Sequence, residues 1–221
     1  KLEAGLPGFR TFVQTGIVLQ VNASPVVNPV LEVGQVTEQV QVEANAALVE
    51  TRSAGVGAVV ENARILDLPL NGRSVNDLVA LIGAATPAPV LSGAGGRDPF
   101  AKSNYSIAGG MHTGVSYTLD GAYHMNPYTN GFMSLPFPDA LQEFKVETGA
   151  TGAQTGMKSS GSVSLVTKSG TNEFHGDAFE FVRNGKFNAR DAFATKRDTI
   201  KCNQFGGTLG GPIKKNKLFF F

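Results

Sequence analysis

The sequence predicts a β-rich α+β fold, and three observations carry that expectation. Glycine, at 27 of 221 residues, exceeds the ~7% of ordinary proteins; such a chain turns often and lets backbones approach closely. Several short segments alternate apolar and polar residues with a period of two, the mark of half-buried strands. One stretch, 62–83, carries helical spacing instead.

Composition bounds the function. Lys plus Arg number 19 and Asp plus Glu 18, a net charge of +1, which gives no basis for nucleic acid as the main partner. Hydrophobic residues at 42% and charged residues at 17% exclude a highly charged disordered chain. The single cysteine, Cys202, excludes an intrachain disulfide and a Cys-based zinc site. No apolar run nears the ~18 residues of a membrane helix.

In residues 1–34, Ile17, Leu19 and Val21 alternate with Val18, Gln20 and Asn22 after the turn signal Pro7-Gly8. Pro25 and Pro29 interrupt the valine-rich run that follows, and proline in strands belongs at edges and starts. Two or three strands cannot close a sandwich, so this part reads as the tail of a β-domain. Residues 35–50 set Val36, Val40 and Val42 among polar neighbours. They read first as a linker or edge strand, and alternatively as a strand offered to a partner by β-augmentation.

Within 62–83, Val75, Leu78, Val79 and Ile82 recur at helical spacing. Ser74 stands as N-cap with Asp77 three residues on, and Gly83 as the stop. Ile65, Leu66 and Leu68 predict a short helical turn ended by Pro69. Residues 84–103 read as a loop. Its glycines lack the Gly-Lys-Ser/Thr that a phosphate-binding loop needs, and Arg97, Asp98 and Pro99 follow them instead. Tyr105–Ile107 and Tyr117–Leu119 are short strands, and Asp120-Gly121 marks a tight turn. Residues 122–138 form a long aromatic loop, suited either to ligand contact or to burial under a neighbouring wall.

Phe144, Val146 and Thr148 alternate with Glu143, Lys145 and Glu147, the clearest half-buried strand of the chain. Residues 161–168 form another. Phe179 and Phe181 then share one face and Ala178, Glu180 and Val182 the other, a pattern for a strand between lipid and a wet lumen. A glycine-rich strand over about 204–212 and the turn 214–217 lead into Phe219–Phe221. No catalytic constellation is visible: His112, His124 and His175 form no zinc-type pair, and no Gly-x-Ser-x-Gly elbow occurs. The reading is not an enzyme, with no cofactor and no metal.

Taken in order, LPLNGRSVNDLVALIG (68–83), SIAGG (106–110), YTLDGAYHMNP (117–127), PDALQEFKVETG (138–149), GSVSLVTKSGTNEFHGDAFEFVRN (161–184) and NQFGGTLGGPIKKNKLFFF (203–221) resemble the TonB-dependent outer-membrane receptors. The similarity is to the Oar-like subgroup, which carries an N-terminal carboxypeptidase-regulatory-like domain. The resemblance divides the chain into the tail of that β-domain (1–34), a TonB-box-like segment and linker (35–50), a plug domain of small mixed sheet and short helices (51–168), and the first strands of a transmembrane β-barrel (169–221). The family's Ile-Arg-Gly is here Ile107-Ala108-Gly109, and its Gly-Gly pair is Gly161-Ser162.

The resemblance implies a receptor of the bacterial outer membrane, with the plug inside the barrel and the N-terminal segment in the periplasm. It would bind an extracellular ligand, such as an oligosaccharide, peptide or metal chelate, and couple to TonB and its inner-membrane energising complex for import. Outer-membrane lipid would surround the barrel. Glu38, Gln39, Val40, Gln41, Val42 and Glu43 are similar to a TonB box. Arg97, Asp98, Tyr123, His124, Asn126 and Tyr128 fall where the family places its outward plug loops; each is otherwise an ordinary loop residue. A barrel of about 22 strands at about ten residues each needs roughly 220 residues, so 169–221 predicts a truncated barrel, poorly ordered without closing partners. The alternatives are a structural or adhesive surface protein of β-domains and a stand-alone plug-like binding module.

Overall fold

A computed structural model describes residues 1–34, 39–43, 56–68, 70–88, 104–128, 130–149 and 158–221. The N-terminal sheet has the order β1 (Leu2–Ala4), β2 (Thr11–Thr15), β3 (Gln39–Glu43). β2 lies antiparallel to β1 and parallel to β3, with Val13 opposite Gln41. The alternating run 17–21 is not a strand, and Val18 and Leu19 are exposed. Its neighbours explain why. The Val21 amide donates to Glu143 Oε2 at 2.7 Å and the Asn22 side-chain amide to Ser164 Oγ at 2.9 Å. The segment is held across another sheet by side chains, so no ladder claims its backbone.

That second sheet is the core of the molecule. Its order is β4 (Val56–Glu61), β9 (Leu141–Gly149), β10 (Ser162–Thr167), β7 (Ser116–Leu119), β8 (Ala122–Tyr123), with β5 (Ala85–Pro87) and β6 (Tyr105–Ile107) paired apart from it. The β10–β7 pair is parallel and the other pairs of the five-stranded sheet are antiparallel. Phe144, Val146, Val163 and Leu165 are buried to 1% exposure or less. Each such side chain contributes about 1.5–3 kcal/mol by leaving water. β5 falls at the start of the stretch predicted as loop, and residues 89–103 lie outside those described.

The helical stretch forms, but not as one amphipathic α-helix. It divides into α1 (Asn62–Asp67), a 3₁₀ turn over Asn71–Arg73 and a 3₁₀ helix over Val75–Leu81. Val75, Leu78 and Val79 are buried as their spacing predicts, and Ser74 sits at the N-cap. The capping box is absent: Ser74 makes no side-chain cap bond, and Asp77 instead accepts from the Tyr105 hydroxyl at 3.3 Å. Ile82 is the C-cap, which puts Gly83 at C′, where the sequence reading has it. With Asn76 and Asp77 both bonded to neighbouring strands, side-chain demands on the sheet override the local α preference.

β11 (His175–Asn184), β12 (Lys201–Lys214) and β13 (Leu218–Phe220) form an antiparallel sheet, Phe179 opposite Gly206 and Phe181 opposite Gln204. The loop 185–200 is long and the turn 215–217 tight, the asymmetry of outer-membrane hairpins with long external loops and short periplasmic turns. The face bearing Val182, Phe205, Leu209 and Ile213 is exposed. Glu180, opposite Phe205, shares it. Among the described residues no helix is long and apolar enough to cross a membrane.

Candidate functional site

The loop after β7 is shaped from its base. Asp120 and Gly121 both take left-handed backbone, φ 49° and 79°, the geometry of a two-residue hairpin turn. The Asp120 carboxylate accepts from the Thr167 amide at 2.8 Å and the Thr167 hydroxyl at 2.9 Å, which ties the turn to β10. Beyond β8 the chain doubles back through a bridge between Met125 and Phe132. Both are buried, Phe132 lying 5.1 Å from the Tyr117 ring centre and Met125 Sδ accepting from the Tyr117 amide at 3.3 Å.

The aromatic loop therefore answers to both of its readings. Met125 and Phe132 are core, whereas Tyr123 at 57% and Tyr128 at 96% exposure face solvent. Asn126 shapes the tip: its side-chain oxygen accepts from the Tyr128 amide at 2.9 Å and its carbonyl from the Asn130 amide at 2.9 Å. His124 Nε2 lies 2.9 Å from the Ser134 carbonyl oxygen, so that nitrogen carries a proton and donates. Lys158 Nζ donates to Asn130 Oδ1 at 3.0 Å. Tyr123, His124, Asn126 and Tyr128 thus belong to one loop standing on a buried aromatic base. Arg97 and Asp98 lie outside the described residues.

Residues 39–43 are a strand, the third and outer member of the N-terminal sheet, while Glu38 lies outside the described residues. The reading as an edge strand holds for its backbone.

A third constellation joins the five-stranded sheet to the β11–β12 hairpin. Gly72 and Arg73 are successive left-handed residues, φ 65° and 57°. Arginine there costs roughly 1–2 kcal/mol. Arg73 is ion-paired to Asp139, each side chain 11% exposed, and its guanidinium lies 4.4 Å from the Phe181 ring centre and 5.1 Å from that of Phe179. Phe137 touches Phe179 at 5.5 Å between ring centres, and Gln204 Nε2 donates to the Gly72 carbonyl at 3.2 Å. The two phenylalanines of β11 therefore lie on the face toward Arg73, Phe181 still 45% exposed. Sequence reasoning did not single out Arg73 or Asp139. The available signal was the Asn-Gly before Arg73, a dipeptide that favours left-handed backbone.

Electrostatics beneath the site are set by burial. Desolvation raises the phenol of Tyr117 far above its ordinary value, against the opposing bond to Asn76. Desolvation also raises Asp77, opposed by the bond from Tyr105, and raises Tyr105, with the nearby Asp77 charge adding to it. Among the described residues no group of three or more His, Cys, Asp or Glu is placed to hold a metal ion.

Comparison with known proteins sets this geometry in context. Residues 166–221 match the family model described as an outer membrane beta barrel domain. Over 124 residues the chain is 32% identical to the TonB-dependent transporter Oar of Myxococcus xanthus, a match covering 52% of this chain and 12% of that relative. The chain thus spans a small part of the relative's length. Among solved structures, the siderophore receptor PirA from Acinetobacter baumannii aligns with a TM-score of 0.53 at 20% identity, over 72% of this chain and 22% of that one. A variant of the ferric enterobactin receptor PfeA from Pseudomonas aeruginosa aligns with a TM-score of 0.56 at 16% identity, over 75% and 23%. These structural likenesses bear on fold.

Proposed function

We infer that the chain is the plug and first barrel strands of a TonB-dependent outer-membrane receptor, which receives an extracellular ligand on the plug and moves it with TonB-derived force. The observation that supports this most directly is the loop 122–133. Exposed Tyr123 and Tyr128 are carried on a base of buried Met125 and Phe132, and a ligand surface needs such a preorganised platform. The ligand is a small polar molecule: an oligosaccharide, a peptide or a metal chelate. Tyr123, His124, Asn126 and Tyr128 offer it stacking faces and hydrogen bonds, and Arg97 and Asp98 belong to the same proposal. The plug is proposed to span about 51–168, between the tail of a regulatory-like domain and the barrel. No bond is made or broken in this reading.

TonB coupling is assigned to Glu38–Glu43. Two features support it: an extended strand at 39–43 and its place before the plug. A partner would add by backbone pairing, a mode that needs free amides. Gln41→Pro removes one donor and disrupts the strand. Measured against the TonB C-terminal domain, binding should fall at least tenfold, and unchanged affinity would place the box elsewhere.

A further inference from the structure

We propose that Arg73 is a clasp that fastens the plug to the first barrel hairpin, a positioning residue whose release sets when the plug can move. Among the described residues, the ring and ion-pair contacts between the two parts gather here. Arg73 takes Asp139 from the plug on one side and the faces of Phe181 and Phe179 from β11 on the other. A guanidinium suits this position because it is planar, permanently charged and able to stack and pair at once. Its Nε is buried with no hydrogen-bond partner among the described residues. The two rings lie against the guanidinium that carries this nitrogen.

The neighbourhood lets the clasp open locally. A cavity of about 570 Å³ lies beside it, lined among others by Leu68, Leu70, Gly72, Phe181 and Cys202. Gly72 takes its left-handed backbone without cost, whereas the left-handed Arg73 stores strain that would relax on release. The bond from Gln204 to the Gly72 carbonyl is a second, weaker tie at the same turn. Force applied from the N-terminal side must break these contacts before the plug parts from β11.

The inference rests on the plug-and-barrel reading, but its test needs neither ligand nor TonB. Hydrogen exchange of the full receptor in detergent would compare wild type with Arg73→Lys, which keeps the charge for Asp139 and loses the planar stack, and with Phe181→Leu. The expected result is exchange about fivefold faster at residues 70–74 in either variant, with 144–146 and 163–165 unchanged. The double variant should be no faster than the faster single one, because both remove one contact. Unchanged exchange at 70–74, additive effects, or equal loosening of the sheet core would overturn the clasp. Should Arg73→Lys fail to fold, Phe181→Leu alone still decides. A receptor that shows the clasp but transports nothing would count against the proposed function only.

Discussion

The Tyr117 hydroxyl donates to Asn76 Oδ1 at 2.8 Å, with Asn76 fully buried and Tyr117 3% exposed. The bond ties the 3₁₀ helix to β7 through a polar pair inside an apolar cluster. A buried phenol left without a partner costs about 1–3 kcal/mol. Asn76→Ala should therefore lower stability to urea by about 2–3 kcal/mol, cavity included. Tyr117→Phe combined with Asn76→Leu should cost less than the two single changes together, since neither half of this pair then strands the other.

Asp77 titrates against the fold. Burial raises its carboxyl above the ordinary 3.8, outweighing the bond from Tyr105. A raised folded-state pKa means that the native form binds the proton more tightly than the unfolded chain. That contribution is fully present below pH 3.8 and is lost as pH rises through the folded-state value. Asp77→Asn keeps an acceptor for Tyr105 and removes the charge. The variant should be more stable than wild type at pH 7, with the difference closing as the pH falls toward 3.8. Paired thermal melts at pH 7 and pH 3.5 would check it, and a gain that persists in acid would contradict the assignment.

Ala108 adopts φ 51°, a left-handed backbone, ahead of Gly109 at φ 76°. A Cβ there is strained by roughly 1–2 kcal/mol, while glycine costs about 0.5–1 kcal/mol in the unfolded chain. Ala108→Gly should stabilise by up to about 1 kcal/mol in denaturant titration.

The elements that the sequence revealed are those specified by nearby residues. β9 and β10 showed in period-two alternation, and the Asp120-Gly121 turn in its residue types, because strand pleat and turn sterics act within a few residues. The misreadings arose where distant partners decide. Ile17, Leu19 and Val21 alternate as a strand would, yet Glu143 and Ser164 hold the segment's end at Val21 and Asn22. Asp77 has the spacing of a cap, yet Tyr105 claims it. At the candidate site, the loop was legible as unusually aromatic, but buried Met125 and Phe132 could not be told from exposed Tyr123 and Tyr128 by composition. The Arg73 cluster joins positions 73, 139, 179 and 181, and no local pattern encodes that meeting.

The aromatic loop offers a test that separates binding from folding. Tyr128 is 96% exposed and its ring supports nothing beneath it, whereas Phe132 is 8% exposed and packs on Tyr117. Tyr128→Ala should leave stability within about 0.5 kcal/mol, as surface changes do. Phe132→Ala should cost about 3–5 kcal/mol by opening a cavity. If Tyr128 stacks on the incoming ligand, its removal should weaken ligand binding to cells bearing the receptor by about fivefold or more, given the ~1 kcal/mol of an aromatic contact. Radiolabelled-ligand binding to those cells supplies the readout. Equal binding by wild type and Tyr128→Ala would remove this loop tip from the ligand surface and leave Tyr117–Phe132 as purely structural packing.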